Sequence, residues 1–599
     1  MYREKGYWEN ITLSDMFESS SRLHPTKVAV VFGEQRITYA ELGERVERLA
    51  FALMQTGFRP LDRVILQLDN RPEFICTFLA LVKVGVIPVM ALPQHRKTEV
   101  SHFARHSGAV GYISADVIRG FDHRTLAAEI RDSTEIRLVL IWGEPGPGQL
   151  SLIKLMGSER SSTITAAQLA GVRPSPDEVA LMLLSGGTTA LPKLIPRTHN
   201  DYVYNCKQSG LVAGFNAETV YLALLPMAHN YSLGSPGVLA TLAYGGRIVI
   251  APGTAADVVF PLIERERVTV VCAGVPLFVK WLSAPELGRH DLRSLNVLMN
   301  GGARLAPELR RRVGGVFGCL TQESFGTAEG LLSMTRLDDD ETKRFESSGA
   351  PVSSGDEIIV VDDDGQKLPD GEPGELLCRG PYTIRGYYNA PEINQQAFTA
   401  DGFYRMGDIV RKFGNYLYVE GRKKDLVNRG GEKISCEEIE NHILANEKVE
   451  AACVVAMPDD TFGEKACAFI IARKGKTIDL PELIDFLSKR GIAKFKRPER
   501  MELVSEFPIS PAGKILRRLA RHDCTTARGR KRPQTTSRCR KNCSVASRRN
   551  SRDRQRASVE RHLHLTPPAI NKQDNSFQHR CGDSAALRGC SLSRQPLKP

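Results

Sequence analysis

At 599 residues the chain is too long for a single hydrophobic core, so at least two domains are expected. Its 42 % hydrophobic content is that of a globular protein. Residues 1–15 are polar and charged, which argues against an N-terminal signal peptide, and the 13 cysteines contain no C-x-x-C pair, which argues against a zinc site. We therefore expect a cytoplasmic protein with reduced thiols.

The formal net charge of +12 comes from the C-terminal tail. Residues 524–599 carry 18 lysines and arginines against four acidic residues, which leaves residues 1–523 at −2. Periodicity disappears in this tail, so we predict disorder. It is either a basic arm for nucleic acid or an anionic surface, or a frame-shifted or read-through extension without a selected function, which we favour. The near-neutral remainder argues against a nucleic-acid partner.

Strands and helices alternate in the N-terminal part. Residues 28–32 predict a strand, and Thr38 with Glu41 predicts a capping box at the start of a helix. A second strand over 63–68 and a helix over 73–84 follow. The apolar stretch 74–92 contains Lys83 and Pro88 and predicts a buried helix followed by a strand, not a membrane span. The alternation favours a doubly wound, largely parallel sheet, whose ligands bind at the carboxyl ends of strands.

A glycine- and hydroxyl-rich loop follows the apolar residues 181–184. Adjacent glycines let backbone N–H groups approach an anion, the hydroxyls add donors, and the lysine adds positive charge. The pattern suits a polyphosphate, although a plain surface turn is the alternative, and it is not a Walker A loop. The candidate nucleotide-binding residues here are Ser185, Gly186, Gly187, Thr188, Thr189 and Lys193.

The order S-G-G-T-T-x-x-P-K resembles the phosphate loop of the adenylate-forming superfamily of acyl- and aryl-CoA ligases, luciferases and peptide-synthetase adenylation domains. The resemblance covers roughly residues 10–521. It implies ATP and Mg²⁺, and a fold with a large N-terminal α/β domain (doubly wound sheets with a β-barrel-like part) and a small α+β C-terminal domain. We accordingly expect an adenylation core over 1–420, a mobile domain over 421–523 and the tail over 524–599.

The segment His229-Asn230-Tyr231, with Ser235 and Pro236 downstream, resembles the stand-alone aryl-acid AMP ligases of siderophore synthesis. Alone, a His-Asn pair is more often structural. The resemblance implies a catalytic role for His229 and a hydrogen bond from Asn230 to the ring hydroxyl beside the substrate carboxylate. An uncharged Asn suits a phenol and could not neutralise an amine. The implied substrate pocket consists of Asn230, Tyr231, Ser235, Gly302, Ala328 and Leu332.

Two further strand ends supply nucleotide and metal candidates. Gly301, Gly302 and Ala303 form a tight turn which, by the resemblance, lies against adenine. Ser324, Phe325 and Gly326 are implied nucleotide contacts. Glu329 is the implied Mg²⁺ ligand, and one carboxylate with phosphate oxygens suffices for that ion.

The remaining motifs lie towards the C-terminus. Asp408, in Tyr-Arg-Met-Gly-Asp, is the implied ligand of both ribose hydroxyls, a task that suits a carboxylate. Arg422 and Lys424 lie at the expected hinge, with Lys424 as the pivot, and catalytic roles are implied for Lys433 and Lys514.

The resemblance predicts a (2,3-dihydroxybenzoyl)adenylate synthase. It would transfer the aryl group to the phosphopantetheine thiol of an aryl carrier protein, and residues 524–599 contain no carrier-like segment, so we expect the carrier to be a separate chain. Ser235 favours 2,3-dihydroxybenzoate, whereas Leu332 is typical of salicylate enzymes. A salicylate–AMP ligase and an aryl-CoA ligase remain the alternatives.

Overall fold

The computed structural model describes residues 1–157, 171–185, 192–430, 432–508, 515 and 517, with only the backbone for Lys424 and Lys433. In the described residues, three sheets and a two-stranded hairpin build the large N-terminal part, and a five-stranded sheet builds the C-terminal part. The predictions for Gly186, Gly187, Thr188, Thr189, Lys514 and the tail lie outside the described residues.

The first large sheet has seven strands and is parallel except at one edge. Its strands are nearly continuous apolar runs, because both faces of a parallel sheet are covered by helices. The antiparallel edge strand follows the predicted phosphate loop in sequence. In spatial order the strands are Leu194–Thr198, Val179–Leu184, Ile87–Met90, Arg63–Gln67, Gly111–Ala115, Leu138–Trp142 and Leu150–Ser151.

The second large sheet has nine strands, six of them parallel in its centre. Antiparallel hairpins close both edges. The spatial order is Ala350–Pro351, Gly330–Met334, Leu320–Thr327, Val297–Gly301, Val270–Ala273, Val220–Ala223, Arg247–Ile250, Val28–Phe32 and Gln35–Thr38.

The part predicted to be barrel-like is a four-stranded antiparallel sheet of Glu357–Val361, Gly374–Arg379, Tyr404–Phe413 and Tyr416–Arg422. A hairpin of Val117–Ile118 and Phe121–Asp122 stands apart. The C-terminal sheet contains Glu432–Ile434, Val427–Arg429, Gly463–Ala472, Val449–Asp459 and Arg500–Leu503. It packs with two helices around its own apolar cluster.

Helices cover the faces of the sheets. The predicted capping box is present: the Glu41 N–H donates to Thr38 Oγ1 at 3.2 Å, and Glu41 Oε2 accepts from the Thr38 N–H at 2.8 Å. Such a pair satisfies two donors that a helix start would leave without partners. Residues 74–92 form a buried helix and then a strand, as predicted.

The α-helices of the large part are Leu13–Leu23, Tyr39–Gln55, Pro72–Lys83, Lys97–Ser107, His123–Ser133, Leu152–Gly157, His199–Val212, Asn230–Gly234, Gly237–Ala243, Ala256–Glu266, Val275–Leu282, Pro307–Phe317, Glu341–Glu346 and Pro391–Ala397. The C-terminal part contributes Cys436–Leu444 and Leu480–Lys489, and short 3₁₀ turns span Lys423–Asp425 and Lys494–Lys496. No helix within the described ranges is long and apolar enough to cross a bilayer.

Candidate active site

Four neighbouring parallel strands of the nine-stranded sheet bring most of the predicted residues to one edge. They are Leu320–Thr327, Val297–Gly301, Val270–Ala273 and Val220–Ala223. Their carboxyl ends carry the Ser324 segment, the Gly301 turn and the loop that leads to Asn230. The shared edge explains why motifs about 100 residues apart can form one site.

Ser185 closes the base of the phosphate loop. Its backbone N–H donates to the Lys193 carbonyl at 3.0 Å, and its Oγ accepts from the Lys193 N–H at 2.9 Å. The two bonds hold the loop entrance and exit together at the end of the strand Val179–Leu184. The residue predicted to contact phosphate therefore also ties Lys193 to the end of this strand.

Lys193 and Glu329 meet at an aromatic residue. The Lys193 ammonium lies 3.9 Å from the centre of the Tyr387 ring. The Tyr387 hydroxyl donates to Glu329 Oε1 at 2.8 Å and lies 3.2 Å from the Tyr404 hydroxyl. Burial, with the Glu329 carboxylate beside it, raises the pKa of Tyr387, so its hydroxyl keeps its proton and acts as the donor.

The predicted ribose ligand faces an arginine. Asp408 is 3 % exposed, and its Oδ1 lies 2.7 Å from Arg422 Nε. The two residues pair directly across neighbouring antiparallel strands, in register. Their pairing brings Arg422 next to Asp408, the residue predicted to bind the ribose.

Buried charges support the predicted adenine turn. Asn300 Nδ2 donates to the Ala303 carbonyl at 2.7 Å and to both Glu323 oxygens at 3.0 Å. Glu323 in turn forms a 2.8 Å ion pair with Arg310, which is fully buried. Gly302 has φ +89°, a left-handed conformation in which any side chain would be strained. The ion pair thus anchors the turn from beneath.

Neutral groups support the predicted substrate pocket. The Tyr202 hydroxyl donates to Asn230 Oδ1 at 2.8 Å. Ser235 Oγ accepts from Asn230 Nδ2 and from Asn205 Nδ2, each at 3.2 Å. His229 caps the short helix Asn230–Gly234, because its side chain accepts the Tyr231 N–H at 3.3 Å. The buried amide of Asn230 is therefore fixed by hydrogen bonds to uncharged groups.

The walls of this pocket touch the nucleotide side. A side chain at Gly301 would meet the Tyr231 ring at 2.5 Å, so the ring lies directly on the predicted adenine turn. Gly326 is packed in the same way by Leu332, whose Cδ2 lies 2.8 Å from the position that a Cβ would take. Glycine at both positions lets the residues predicted to bind the aryl acid pack directly against those predicted to bind the nucleotide.

Sequence reasoning missed a buried arginine that holds the Glu329 segment. Arg197 is fully buried and donates to the carbonyls of Ala328 and Tyr382 at 2.9 and 3.1 Å. Its Nε lies 2.7 Å from Asp201 Oδ1. An arginine just after a Pro signals nothing by itself, and both carbonyls that it reaches lie more than 130 residues away in sequence. Sequence reasoning also missed Tyr387, which is 58 residues from Glu329, and the Glu323–Arg310 pair, which joins a strand to a helix.

The C-terminal candidates are only partly described. Lys424 lies in the 3₁₀ turn Lys423–Asp425 and Lys433 on the strand Glu432–Ile434, with the backbone alone for both. Lys514 lies outside the described residues. The described site therefore joins the nucleotide, metal and aryl candidates of the large N-terminal part.

The described residues suit a nucleotide and a hard cation. Within the described ranges, no group of three or more His, Cys, Asp or Glu could hold a metal by itself. Glu329 offers one buried carboxylate, 7 % exposed, which fits a Mg²⁺ ion that takes its other ligands from phosphate and water. Asp408 and the narrow Gly301 turn fit a ribose and a flat base.

Comparison with known proteins decides the family. The AMP-binding enzyme family matches residues 17–388, and its C-terminal domain family matches residues 438–514. The chain belongs to the AMP-binding enzyme family. The predicted adenylate-forming fold and the use of ATP and Mg²⁺ that goes with it are thereby confirmed.

Two curated relatives and one solved structure show how close the similarity is. The chain is 44 % identical to the 2,3-dihydroxybenzoate-AMP ligase of Bacillus subtilis, over 87 % of this chain and 95 % of that protein. It is 42 % identical to a salicylyl-CoA synthase / salicylate adenylyltransferase of a Streptomyces species, over 86 % and 94 %. Apo MbtA of Mycobacterium smegmatis matches with a TM-score of 0.66 at 38 % identity, over 87 % of this chain and 96 % of that one.

Proposed function

We propose that this enzyme joins 2,3-dihydroxybenzoate to AMP and then passes the aryl group to the phosphopantetheine thiol of a separate aryl carrier protein in siderophore biosynthesis. The observation that carries the proposal is the buried, neutral amide of Asn230 beside the Gly301 turn. A phenolic ring can hydrogen-bond there, whereas an ammonium group would lack a counter-charge. The dihydroxybenzoate-AMP ligase of B. subtilis, similar over nearly its whole length, supports the same substrate class.

The first half-reaction joins two anions. A carboxylate oxygen of the aryl acid attacks the α-phosphorus of ATP, the bond from that phosphorus to the β-bridging oxygen breaks, and pyrophosphate leaves. Lys193 and the donors of the phosphate loop would offset the charge repulsion, and the fixed pocket would align the carboxylate with the phosphorus. A Mg²⁺ ion bound at Glu329 would supply further neutralisation of the phosphate charge.

The second half-reaction uses the C-terminal domain. Rotation at Lys424 would withdraw Lys514 after adenylation and admit the carrier thiol. The thiolate attacks the acyl carbon of the aryl-adenylate, a thioester forms, and AMP leaves with the electron pair of the broken acyl–oxygen bond. Lys433 and His229 would lie beside the acyl group during these steps.

The hydrogen-bond pattern favours two ring hydroxyls over one. Ser235 Oγ already accepts from two amides, so its own proton is available to donate to a substrate oxygen. Asn230 Oδ1 can accept a second hydrogen bond besides that from Tyr202. Leu332 is typical of salicylate enzymes, and a salicylate–AMP ligase is therefore the second candidate.

Pyrophosphate exchange tests the proposal. Purified protein with ATP, Mg²⁺ and radiolabelled pyrophosphate should exchange label most efficiently with 2,3-dihydroxybenzoate, less with salicylate and least with benzoate. The matched variant Ser235→Ala should reduce kcat/KM for dihydroxybenzoate more than for salicylate. Salicylate as the better substrate of the wild type would establish the second candidate, and no exchange with any aryl acid would contradict both.

The acyl acceptor needs a separate assay. The aryl-CoA ligase alternative is supported by the Streptomyces relative, whose name includes a CoA synthase activity. The proposal expects a phosphopantetheinylated aryl carrier protein to be acylated much faster than free coenzyme A at equal concentrations. The reverse preference would identify an aryl-CoA ligase.

A further inference from the structure

Tyr387 connects two candidate residues that bind the same triphosphate. Its hydroxyl donates to Glu329 Oε1 at 2.8 Å, and its ring lies under the Lys193 ammonium at 3.9 Å. The side chain is 4 % exposed. One residue therefore contacts the proposed metal carboxylate with its polar end and the proposed phosphate-binding cation with its face.

The backbone of Tyr387 is itself fixed. Its N–H donates to Asn394 Oδ1 at 2.7 Å, and Asn394 Nδ2 donates back to its carbonyl at 3.0 Å. Phe398 packs edge-on against the ring at 6.2 Å between centroids. A ring held from several sides can orient its neighbours at little cost in conformational entropy.

We propose that Tyr387 is a positioning residue that aims the Glu329 carboxylate at the metal and holds the Lys193 ammonium at the phosphates. The proposal rests on the function proposed above, in which Glu329 binds Mg²⁺ and Lys193 binds ATP. Hydrogen bonds from neighbouring residues fix the orientation of metal-binding carboxylates, and their removal typically weakens metal binding 10- to 100-fold. The aromatic face attracts the ammonium electrostatically.

Two substitutions separate the two roles. Tyr387→Phe removes the hydroxyl but keeps the ring under Lys193, so it should affect the metal alone. Tyr387→Leu removes both contacts and should affect metal and nucleotide. Tyr404→Phe is the matched control, because it removes the neighbouring buried hydroxyl, 3.2 Å from that of Tyr387, while the bond from Tyr387 to Glu329 stays.

The experiment measures binding of Mn²⁺, which prefers the same oxygen ligands as Mg²⁺, by electron paramagnetic resonance. Full-length protein is loaded with a non-hydrolysable ATP analogue, and analogue affinity without metal is measured by calorimetry. Tyr387→Phe should weaken Mn²⁺ binding roughly tenfold and leave metal-free analogue affinity within about twofold. Tyr387→Leu should weaken both, and Tyr404→Phe should keep Mn²⁺ affinity within about twofold of the wild type.

Three results would overturn the proposal. One is wild-type Mn²⁺ affinity in Tyr387→Phe, and another is an equal loss in Tyr404→Phe, which would indicate a general effect of removing a buried hydroxyl. The third is unchanged analogue affinity in folded Tyr387→Leu. If that variant does not fold, Tyr387→Phe alone decides. Failure of the proposed function appears separately, as absence of pyrophosphate exchange in the wild type.

Discussion

The two halves of the candidate site are built from different chemistry. Beneath the adenine turn lies a buried ion pair of Arg310 and Glu323, 2.8 Å apart, bound to Asn300. Around the aryl pocket, Tyr202, Asn205 and Ser235 hold Asn230 through uncharged hydrogen bonds. Both sets are buried, so the difference does not come from exposure to water.

The difference follows from what each half would bind. A nucleotide brings charge that a site of fixed, paired charges can accommodate without reorganising. A phenolic ring is neutral, and a buried ion next to it would have to be desolvated without gaining a partner. In the proposed function the neutral half would select the substrate class, and the charged half would fix the backbone that holds the nucleotide.

The largest expected effect tests the charged half. Arg310→Met should lower the free energy of unfolding by about 3–5 kcal/mol, because it leaves the Glu323 carboxylate buried without its cation. The control Arg311→Met removes the neighbouring, half-exposed arginine, which pairs with Glu346 at 2.8 Å, and should cost no more than about 1 kcal/mol. Urea unfolding followed by circular dichroism measures both, and similar losses in the two variants would contradict the comparison.

The second prediction concerns nucleotide affinity. Asp408→Ala should raise the KM for ATP by roughly 150-fold, because two charge-assisted hydrogen bonds to ribose, each worth about 1.5 kcal/mol, are lost. The KM for the aryl acid should stay within about twofold. Pyrophosphate exchange with each substrate varied in turn measures both constants, and an equal rise in both would indicate that Asp408 maintains the whole site.

The third prediction concerns affinity for the aryl acid and tests the neutral half. Asn230→Ala should raise the KM for the aryl acid about tenfold, because one neutral hydrogen bond in a buried pocket is lost. The KM for ATP should stay unchanged. Tyr204→Phe is the matched control, because its hydroxyl lies 2.8 Å from Ser353 Oγ and is not bonded to Asn230. The same exchange assay applies, and unaltered aryl-acid kinetics in Asn230→Ala would remove this residue from the pocket.

The smallest expected effect concerns Asp356, a buried carboxyl behind the neutral half. Tyr382 donates to it at 2.6 Å and accepts the Leu332 N–H at 3.0 Å. Burial raises the pKa of Asp356 to about 7. A carboxyl whose pKa is raised by folding contributes stability that is fully present below its ordinary pKa and is lost as the pH rises through the folded value.

The wild type should therefore lose stability as the pH rises from about 4 to 7, by roughly 1 kcal/mol between pH 6 and 7 from this group. The Asp356→Asn variant should not show this part of the loss of stability, because it has no carboxyl to titrate. Thermal and urea unfolding at pH 6 and pH 7 measure this effect. The free energy of unfolding should differ less between the two pH values in the variant than in the wild type. Identical pH dependence in the two proteins would mean that Asp356 is ionised throughout.

How much of the structure the sequence predicts depends on how far apart along the chain the contacting residues lie. The capping box of Thr38 and Glu41 and the strand ending before Ser185 follow local rules, and the structure has them where predicted. The placement of Ser185 and of the Gly301 and Ser324 segments at the carboxyl ends of parallel strands also follows, although the strands belong to two different sheets. The domain boundaries and the roles of the site residues stay predictions.

The parts that could not be predicted depend on long-range contacts. Arg197 would ordinarily be taken for a surface residue, yet it is fully buried because two carbonyls and Asp201 surround it. Tyr387 is one of many tyrosines until Glu329, 58 positions earlier, is placed against its hydroxyl. No local pattern encodes such pairs.

The most direct test of the account is calorimetric binding of a sulfamate analogue of 2,3-dihydroxybenzoyl-AMP, which joins both halves in one molecule. We predict that the analogue binds at least about 100-fold more tightly than AMP alone, and that Asp408→Ala and Asn230→Ala each weaken it by nearly additive free energies. An analogue that binds no better than AMP, or whose affinity one of the two variants leaves unchanged, would show that the two halves do not serve one ligand.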